Sequence, residues 1–203
     1  MKIDLKKSLD SYRARQGEFR LVDLLAMTYL MVDGHGDPGS TPEFGEAFEA
    51  LYPVAYTLKF ASKLDLDRDY VVPPMEGLWW ADDMAAYTTE RDPSRWDWTL
   101  MLLVPDWIST EMIAVALAAV AAKKDPPVGL DRVRAEVLDE GRCVQTLHVG
   151  PYDAEGPVLA EMHDVFIPGE GLRMTGKHHE IYLSDPRRVE AAKLRTILRQ
   201  PVI

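Results

Sequence analysis

Cysteine is almost absent from this chain. Cys143 stands alone among 203 residues, so neither an internal disulfide nor a cysteine-rich zinc site can be built. Its neighbours Arg142 and Val144 continue a strand-like pattern, which makes it a buried, inert thiol rather than a nucleophile. Long apolar runs are missing too. The most apolar stretch, residues 112–122, is Ala-rich and bordered by Glu111 and Lys123-Lys124. It falls well short of the roughly 20 residues a membrane span needs, and it reads as a packed helix. The N-terminus, with Lys2, Lys6 and Lys7, carries no apolar core and no small-residue cleavage site, so no secretory signal is read there. These absences predict a soluble, cytoplasmic protein with no membrane association. Basic residues are also scarce: 23 Lys and Arg face 33 Asp and Glu, a formal charge of −10. Such a surface repels phosphate backbones and argues against nucleic acid as a partner, while it suits a cationic ligand. The plain explanation of the excess is solubility.

Familiar catalytic signatures are lacking as well. There is no His-Glu-x-x-His pattern and no Asp-rich calcium loop. His163 has no histidine four residues away. His178 and His179 are neighbours on a strand, so they face opposite ways and cannot share one ion. No metal and no cofactor are expected. Gly34-His35-Gly36 lacks the third glycine of a dinucleotide loop and is bordered by Asp33 and Asp37, so it reads as a tight turn. No serine nucleophile elbow occurs.

A repeated pattern is present. Residues 27–38 and 143–153 are each an apolar strand ending in a Gly/Pro/Asp turn. Helical spacing follows in both cases: Phe44, Ala47, Phe48, Leu51, Ala55 and Leu58 within 43–58, and Val158, Leu159, Met162, Val165 and Phe166 within 157–166. Aromatic and β-branched strands come next at 70–80 and 177–183, then apolar runs closed by proline at 96–105 and 193–201. Strand, helix, strand, strand thus recurs at a spacing of about 110 residues. The expected fold is α+β: one domain over residues 1–203, made of two such units (about 19–108 and 133–203) around a pseudo-twofold axis with a central cleft. A helix at about 109–124 joins them, capped by Ser109 or Thr110 and stopped by Pro126-Pro127.

Strand alternation then singles out side chains. Over 177–183, His178, Glu180 and Tyr182 share one face. The opposite face, His179, Ile181 and Leu183, is the more apolar and is expected to pack on the helix, leaving the first to line the cleft. A carboxylate between aromatic groups is partly desolvated, which raises its pKa and suits it to acid–base work or to neutralising a cation. Trp79, Trp80, Trp96, Trp98 and Trp107, with Tyr87 among them, crowd into one half of the chain. Their faces bind flat apolar or cationic molecules, although some must belong to the core. Trp79 and Trp80 are expected on opposite sides of their strand. Tyr152, after Gly150-Pro151, offers a hydroxyl at a strand mouth.

These segments resemble a known family. Residues 29–38 (Tyr-Leu-Met-Val-Asp-Gly-His-Gly-Asp-Pro), 74–80 (Pro-Met-Glu-Gly-Leu-Trp-Trp), 104–108 (Val-Pro-Asp-Trp-Ile), 148–153 (His-Val-Gly-Pro-Tyr-Asp) and 177–186 (Lys-His-His-Glu-Ile-Tyr-Leu-Ser-Asp-Pro) look like those of the GyrI-like small-molecule-binding proteins, in particular a stand-alone subgroup. The likeness runs from about residue 3 to the C-terminus. It implies a duplicated strand-helix-strand-strand (SHS2-type) fold and an aromatic cleft holding one buried glutamate. Fused relatives sense lipophilic, often cationic drugs there. The stand-alone subgroup is similar to hydrolases that open the cyclopropane ring of DNA-alkylating natural products. By this resemblance Glu180 matches the cleft glutamate and Tyr152 a cleft tyrosine, the two candidate catalytic groups. Trp79, Trp80, Trp107, Tyr182, His148 and His178 are the candidate ligand-binding residues. The implied partner is a lipophilic small molecule. DNA binding is not implied, because the residues before Phe19 leave no room for a helix-turn-helix module. A protein-partner role as DNA mimic is set aside for want of a long acidic run. Pro168-Gly169 departs from the pattern and is expected to interrupt the second helix.

Overall fold

The computed structural model describes residues 2–83 and 92–203. Along the chain come α1 (Leu5–Ser8), β1 (Arg20–Asp23), β2 (Met27–His35), α2 (Pro42–Asp65), β3 (Met75–Trp80), β4 (Asp97–Leu103), α3 (Thr110–Ala121), β5 (Arg134–Leu138), β6 (Arg142–Val149), α4 (Gly156–Ala160), a π-helical segment (Glu161–Phe166), α5 (Ile167–Gly169), β7 (His178–Tyr182) and β8 (Arg195–Pro201). The strands form one antiparallel sheet in the order β1–β6–β8–β7–β3–β4–β2–β5. The inner six read symmetrically from the centre: β7, β8, β6 on one side and β3, β4, β2 on the other. The mixed α+β class is therefore as the pattern predicts. The edge strands cross over, since β1 pairs with β6 and β5 pairs with β2.

Local chemistry sets the helices. In α2, proline occupies the first turn, where its missing N–H costs no hydrogen bond. Ala47, Ala50, Leu51, Val54, Ala55 and Leu58 then recur every three or four residues and are buried on the sheet. The helix continues to Asp65, one and a half to two turns beyond the expected end. Ser109 caps α3, its hydroxyl accepting the Met112 N–H at 3.3 Å. The second cleft helix is broken more gently than Pro168 suggested: it loosens into π-helical turns and then closes with α5.

Both faces of the sheet are covered. On the front, α2 and α3 pack over Leu30, Val32, Trp79, Trp98, Leu100 and Leu102, while Met162 and Ile167 pack over Val144 and Leu198. On the back, Leu5 and Tyr12 from the N-terminal segment cover Tyr29, Met31, Leu78, Met101, Ile181 and Ile197. This corrects the expected orientation of β7. Glu180 pairs in register with Gly77 and Leu198 and therefore lies on the helix-bearing face. His179 and Ile181 face the other way. That side is buried by the N-terminal segment, through Leu5 and Tyr12, rather than by α2. One further correction concerns extent. The strand expected from residue 70 begins at Met75, after Pro73-Pro74, and Tyr70 makes only an isolated bridge to Ile3. The edge strands β1 and β5 are short and carry no clear alternation.

Candidate functional site

A cavity of about 1430 Å³ lies on the front face between α2 and the α4 arm, with the β3–β7 seam as its floor. Aromatic rings build the α2 side. Phe44 lies 5.5 Å from Phe48 and 6.0 Å from Trp79, and Trp79 meets Trp96 edge-on at 5.9 Å. Tyr52 adds to this wall. Tyr152 stands opposite, on the turn that leads into α4, and meets Tyr182 edge-on at 5.7 Å. Burial, reinforced by the charges of Glu155 and Glu180, pushes its phenol up to about 12, so it keeps its hydrogen at neutral pH.

Glu180 sits at the floor with 7 % of its surface exposed. The Tyr182 hydroxyl donates to its Oε2 at 2.8 Å and in turn accepts the Trp79 indole N–H at 3.0 Å. His178 Nε2 is 3.8 Å from Glu180 Oε1. Burial, then the neighbouring imidazoles His163 and His179, hold His178 well below the usual histidine range, so it is neutral beside the carboxylate. Gly77 clears the floor. A Cβ there would stand 2.9 Å from Trp79 Nε1 and 3.1 Å from the Tyr182 hydroxyl.

The eight candidates do not all meet at this cavity. Glu180, Tyr152, Tyr182 and Trp79 line it. His178 lies just behind, 5.9 Å ring to ring from His163, which does reach the wall. His148 is buried under the Gly150-Pro151 turn with Nε2 3.1 Å from the Pro151 carbonyl, so it supports the loop that presents Tyr152. Trp80 and Trp107 are corrections. Trp80 alternates onto the back face, where Lys177 Nζ lies 3.2 Å from its ring centre. Trp107 donates to Ser62 Oγ at 3.0 Å and packs against Tyr70, away from the cavity. Trp98 is wholly buried over Gly34, and Tyr87 lies outside the described residues. Sequence reasoning missed the roles of Trp96, Phe44, Phe48, Tyr52 and His163 in the wall. For the α2 rings the signal was there, as three aromatic residues at four-residue spacing, but it reads equally as core.

Among the described residues, charge at the cavity is lopsided. Asp4, Glu49, Asp153, Glu155, Asp164, Glu180 and Asp185 line it, against Lys6 and Arg187. Asp185 is held at about 2 by hydrogen bonds from Arg187. Among the described residues, no group of three or more His, Cys, Asp or Glu is placed to hold a metal ion. Nor is any helix among them long and apolar enough to cross a membrane.

Comparison with known proteins fits this geometry. The profile of the GyrI-like small-molecule-binding domain matches residues 17–202. The chain belongs to the GyrI-like family. This GyrI-like domain is 43 % identical to a conserved, uncharacterised protein of Listeria innocua, with both chains covered in full and a TM-score of 0.88. It is 42 % identical to a Listeria innocua protein described as a hydrolase, again over the whole of both chains, with a TM-score of 0.84. The C-terminal domain of EcmrR shares the fold at 13 % identity, with a TM-score of 0.57 over 92 % of this chain and 97 % of that one. Comparison with curated protein sequences finds no match. The GyrI-like domain is thus a small-molecule-binding module.

Proposed function

We propose that this domain is a cytoplasmic detoxification enzyme that binds lipophilic aromatic molecules and opens the strained cyclopropane ring of electrophilic, DNA-alkylating compounds with water. One observation carries the reading: a buried carboxylate, Glu180, held by a tyrosine hydroxyl at the floor of a cavity with an aromatic wall. Glu180 orients a water molecule and takes its proton as the oxygen attacks a ring carbon. The C–O bond forms, the ring C–C bond breaks, and its electron pair moves into the conjugated carbonyl. Tyr152 hydrogen-bonds the resulting oxyanion, which ends protonated, so the net change is addition of one water. The rings of Trp79, Trp96 and Phe44 hold the flat body of the substrate and exclude bulk solvent. The relatives from Listeria innocua described as hydrolases support this reading. The symmetric strand order supports residues 19–108 and 133–203 as two units of one domain with the ligand at their junction.

The test is turnover of a cyclopropane-bearing aromatic electrophile, followed by mass spectrometry for the hydrated product. Wild type should form it. Glu180→Gln should slow it by about 100-fold or more, the range of a lost general base. Equal rates for the two proteins would refute the mechanism.

The carboxylates around the cavity favour a second reading, in which the same cleft sequesters lipophilic cations without chemistry. Tight binding of a cationic aromatic dye, with no product from any strained electrophile, would decide for it.

A further inference from the structure

We infer that His163 is a specificity-determining residue, which hydrogen-bonds a polar group on an elongated, flat aromatic ligand at the end of the cavity opposite Tyr152. The inference rests on the reading of this cavity as the ligand site, and it names the class of molecule the site takes. The α4 arm and β7 set the geometry. Tyr152, before α4, meets Tyr182 at 5.7 Å, and His163, in the π-helical segment, meets His178 at 5.9 Å. Tyr182 and His178 are four residues apart on β7, a rise of about 13 Å, with Glu180 between them. The two arm residues therefore stand near opposite ends of the cavity floor. Between them Gly156 and Ala160, about one helical turn apart, line the cavity and fill little of it. A flat molecule lying along this groove passes over Glu180 and ends at the imidazole.

The condition of the ring points the same way. His163 lines the cavity with 7 % of its surface exposed, and its Nε2 is sealed off without a hydrogen-bond partner. Buried polar atoms without partners are rare in native proteins and call for a reason. Packing supplies none, because a leucine or phenylalanine would fill the same space and strand no nitrogen. Nδ1 is the nitrogen on the open side of the ring, and among the described residues nothing hydrogen-bonds to it. Burial holds the ring below the usual histidine range, against the opposing pull of Asp164, so at neutral pH it carries one N–H and one lone pair. Either tautomer suits a ligand hydroxyl, which both donates and accepts. Met162, fully buried on Val144 and Leu198, pins the segment, so the imidazole is held in place before a ligand arrives.

The test needs no turnover. It compares para-phenylphenol with biphenyl, elongated probes that differ by one terminal hydroxyl. Kd is measured for both on wild type and on His163→Phe, which keeps a ring and removes both nitrogens. Wild type should prefer the phenol, and His163→Phe should lose about tenfold of that preference, the scale of one hydrogen bond. In wild-type protein labelled with 15N-histidine, para-phenylphenol should shift a His163 ring nitrogen far more than biphenyl does, the signals being assigned by their loss in His163→Gln. Should His163→Phe fail to fold, these wild-type shifts decide. A preference that stays within about twofold of wild type in His163→Phe, ring nitrogens that respond equally to both probes, or binding of neither probe would overturn the proposal. The expected selectivity without any hydrolysis would refute only the enzymatic reading, and hydrolysis without the selectivity would refute only this one.

Discussion

Glu180 and His179 are adjacent on β7, yet they lie in opposite worlds. On the front face, Glu180 opens onto a 1430 Å³ cavity. On the back, His179 is fully buried between two carboxylates, 2.9 Å from Glu76 Oε2 and 2.9 Å from Glu140 Oε1. Arg199, equally buried, reaches Glu140 at 3.1 Å, Gln145 at 3.1 Å and the Ser11 carbonyl at 2.7 Å. Tyr12 donates to Glu76. Acid and imidazole side chains thus stand on both faces, but with different environments. The back network lies buried under the N-terminal segment, which adds the Tyr12 hydroxyl and the Ser11 carbonyl to it. A pattern of titratable residues therefore says little about function until the space around them is known.

Four experiments would break or sharpen this contrast. The largest effect should follow Arg199→Met, which takes the guanidinium away from buried Glu140 and from Gln145 and the Ser11 carbonyl. Unfolding free energy in urea should fall by about 3–5 kcal/mol, while affinity for a cationic aromatic dye stays within about twofold of wild type, a few tenths of a kcal/mol. A drop in stability below 1 kcal/mol would mean that the network is not a structural anchor, by the scale of typical surface changes.

Next comes pH. Burial pushes the Glu140 carboxyl up, but the charges and hydrogen bonds of His179 and Arg199 outweigh it and hold the group at about 2. Its contribution is present above its unfolded value of 4.5 and disappears as pH falls toward 2. A shift of that size corresponds to about 3 kcal/mol. His179 runs the opposite way. Burial pushes it down, yet Glu140 and Glu76 raise it above 6.5 overall, so its contribution is whole below 6.5 and fades as pH climbs through the raised value. In Glu140→Gln the loss of urea midpoint between about pH 4.5 and 2 should therefore be much reduced.

Glu180→Gln should do the reverse of Arg199→Met. Dye affinity should fall by about ten- to 100-fold, the scale of 1.5–3 kcal/mol for a lost charged contact, with stability unchanged or improved. The smallest effect belongs to Lys177→Met, which removes the cation over Trp80 on the back face. About 0.5–1 kcal/mol of stability should go, with no change in dye binding. A loss of binding there would reopen Trp80 as a ligand contact.

Much of the element order could be read from the chain, because apolar spacing and the Gly and Pro punctuation agree for α2, α3 and the six inner strands. Which face of β7 meets the helices could not. Both faces are buried, so the apolar score of Ile181 carried no direction, and only the N-terminal cover resolves it. The placement of Glu180 and Tyr152 at a cleft was legible through motif resemblance more than through pattern. Trp96 was not legible as a wall residue: it precedes β4, and what brings it to Trp79 is the β3–β4 register, in which Trp79 pairs with Trp98. His163 was hidden because the π-helical segment breaks the 3.6-residue period on which its face would be judged.

The crossed edge strands carry a consequence for how the chain can be divided. β1 precedes the first cleft helix but completes the sheet beside β6, and β5 follows α3 but completes it beside β2. Severing the backbone in the loop near Pro126-Pro127 would therefore yield two fragments, each holding the other's missing border. Neither could finish its sheet alone. Mixed together, they have three seams to find, β1–β6, β3–β7 and β2–β5, and the cavity comes into being only when the middle one closes.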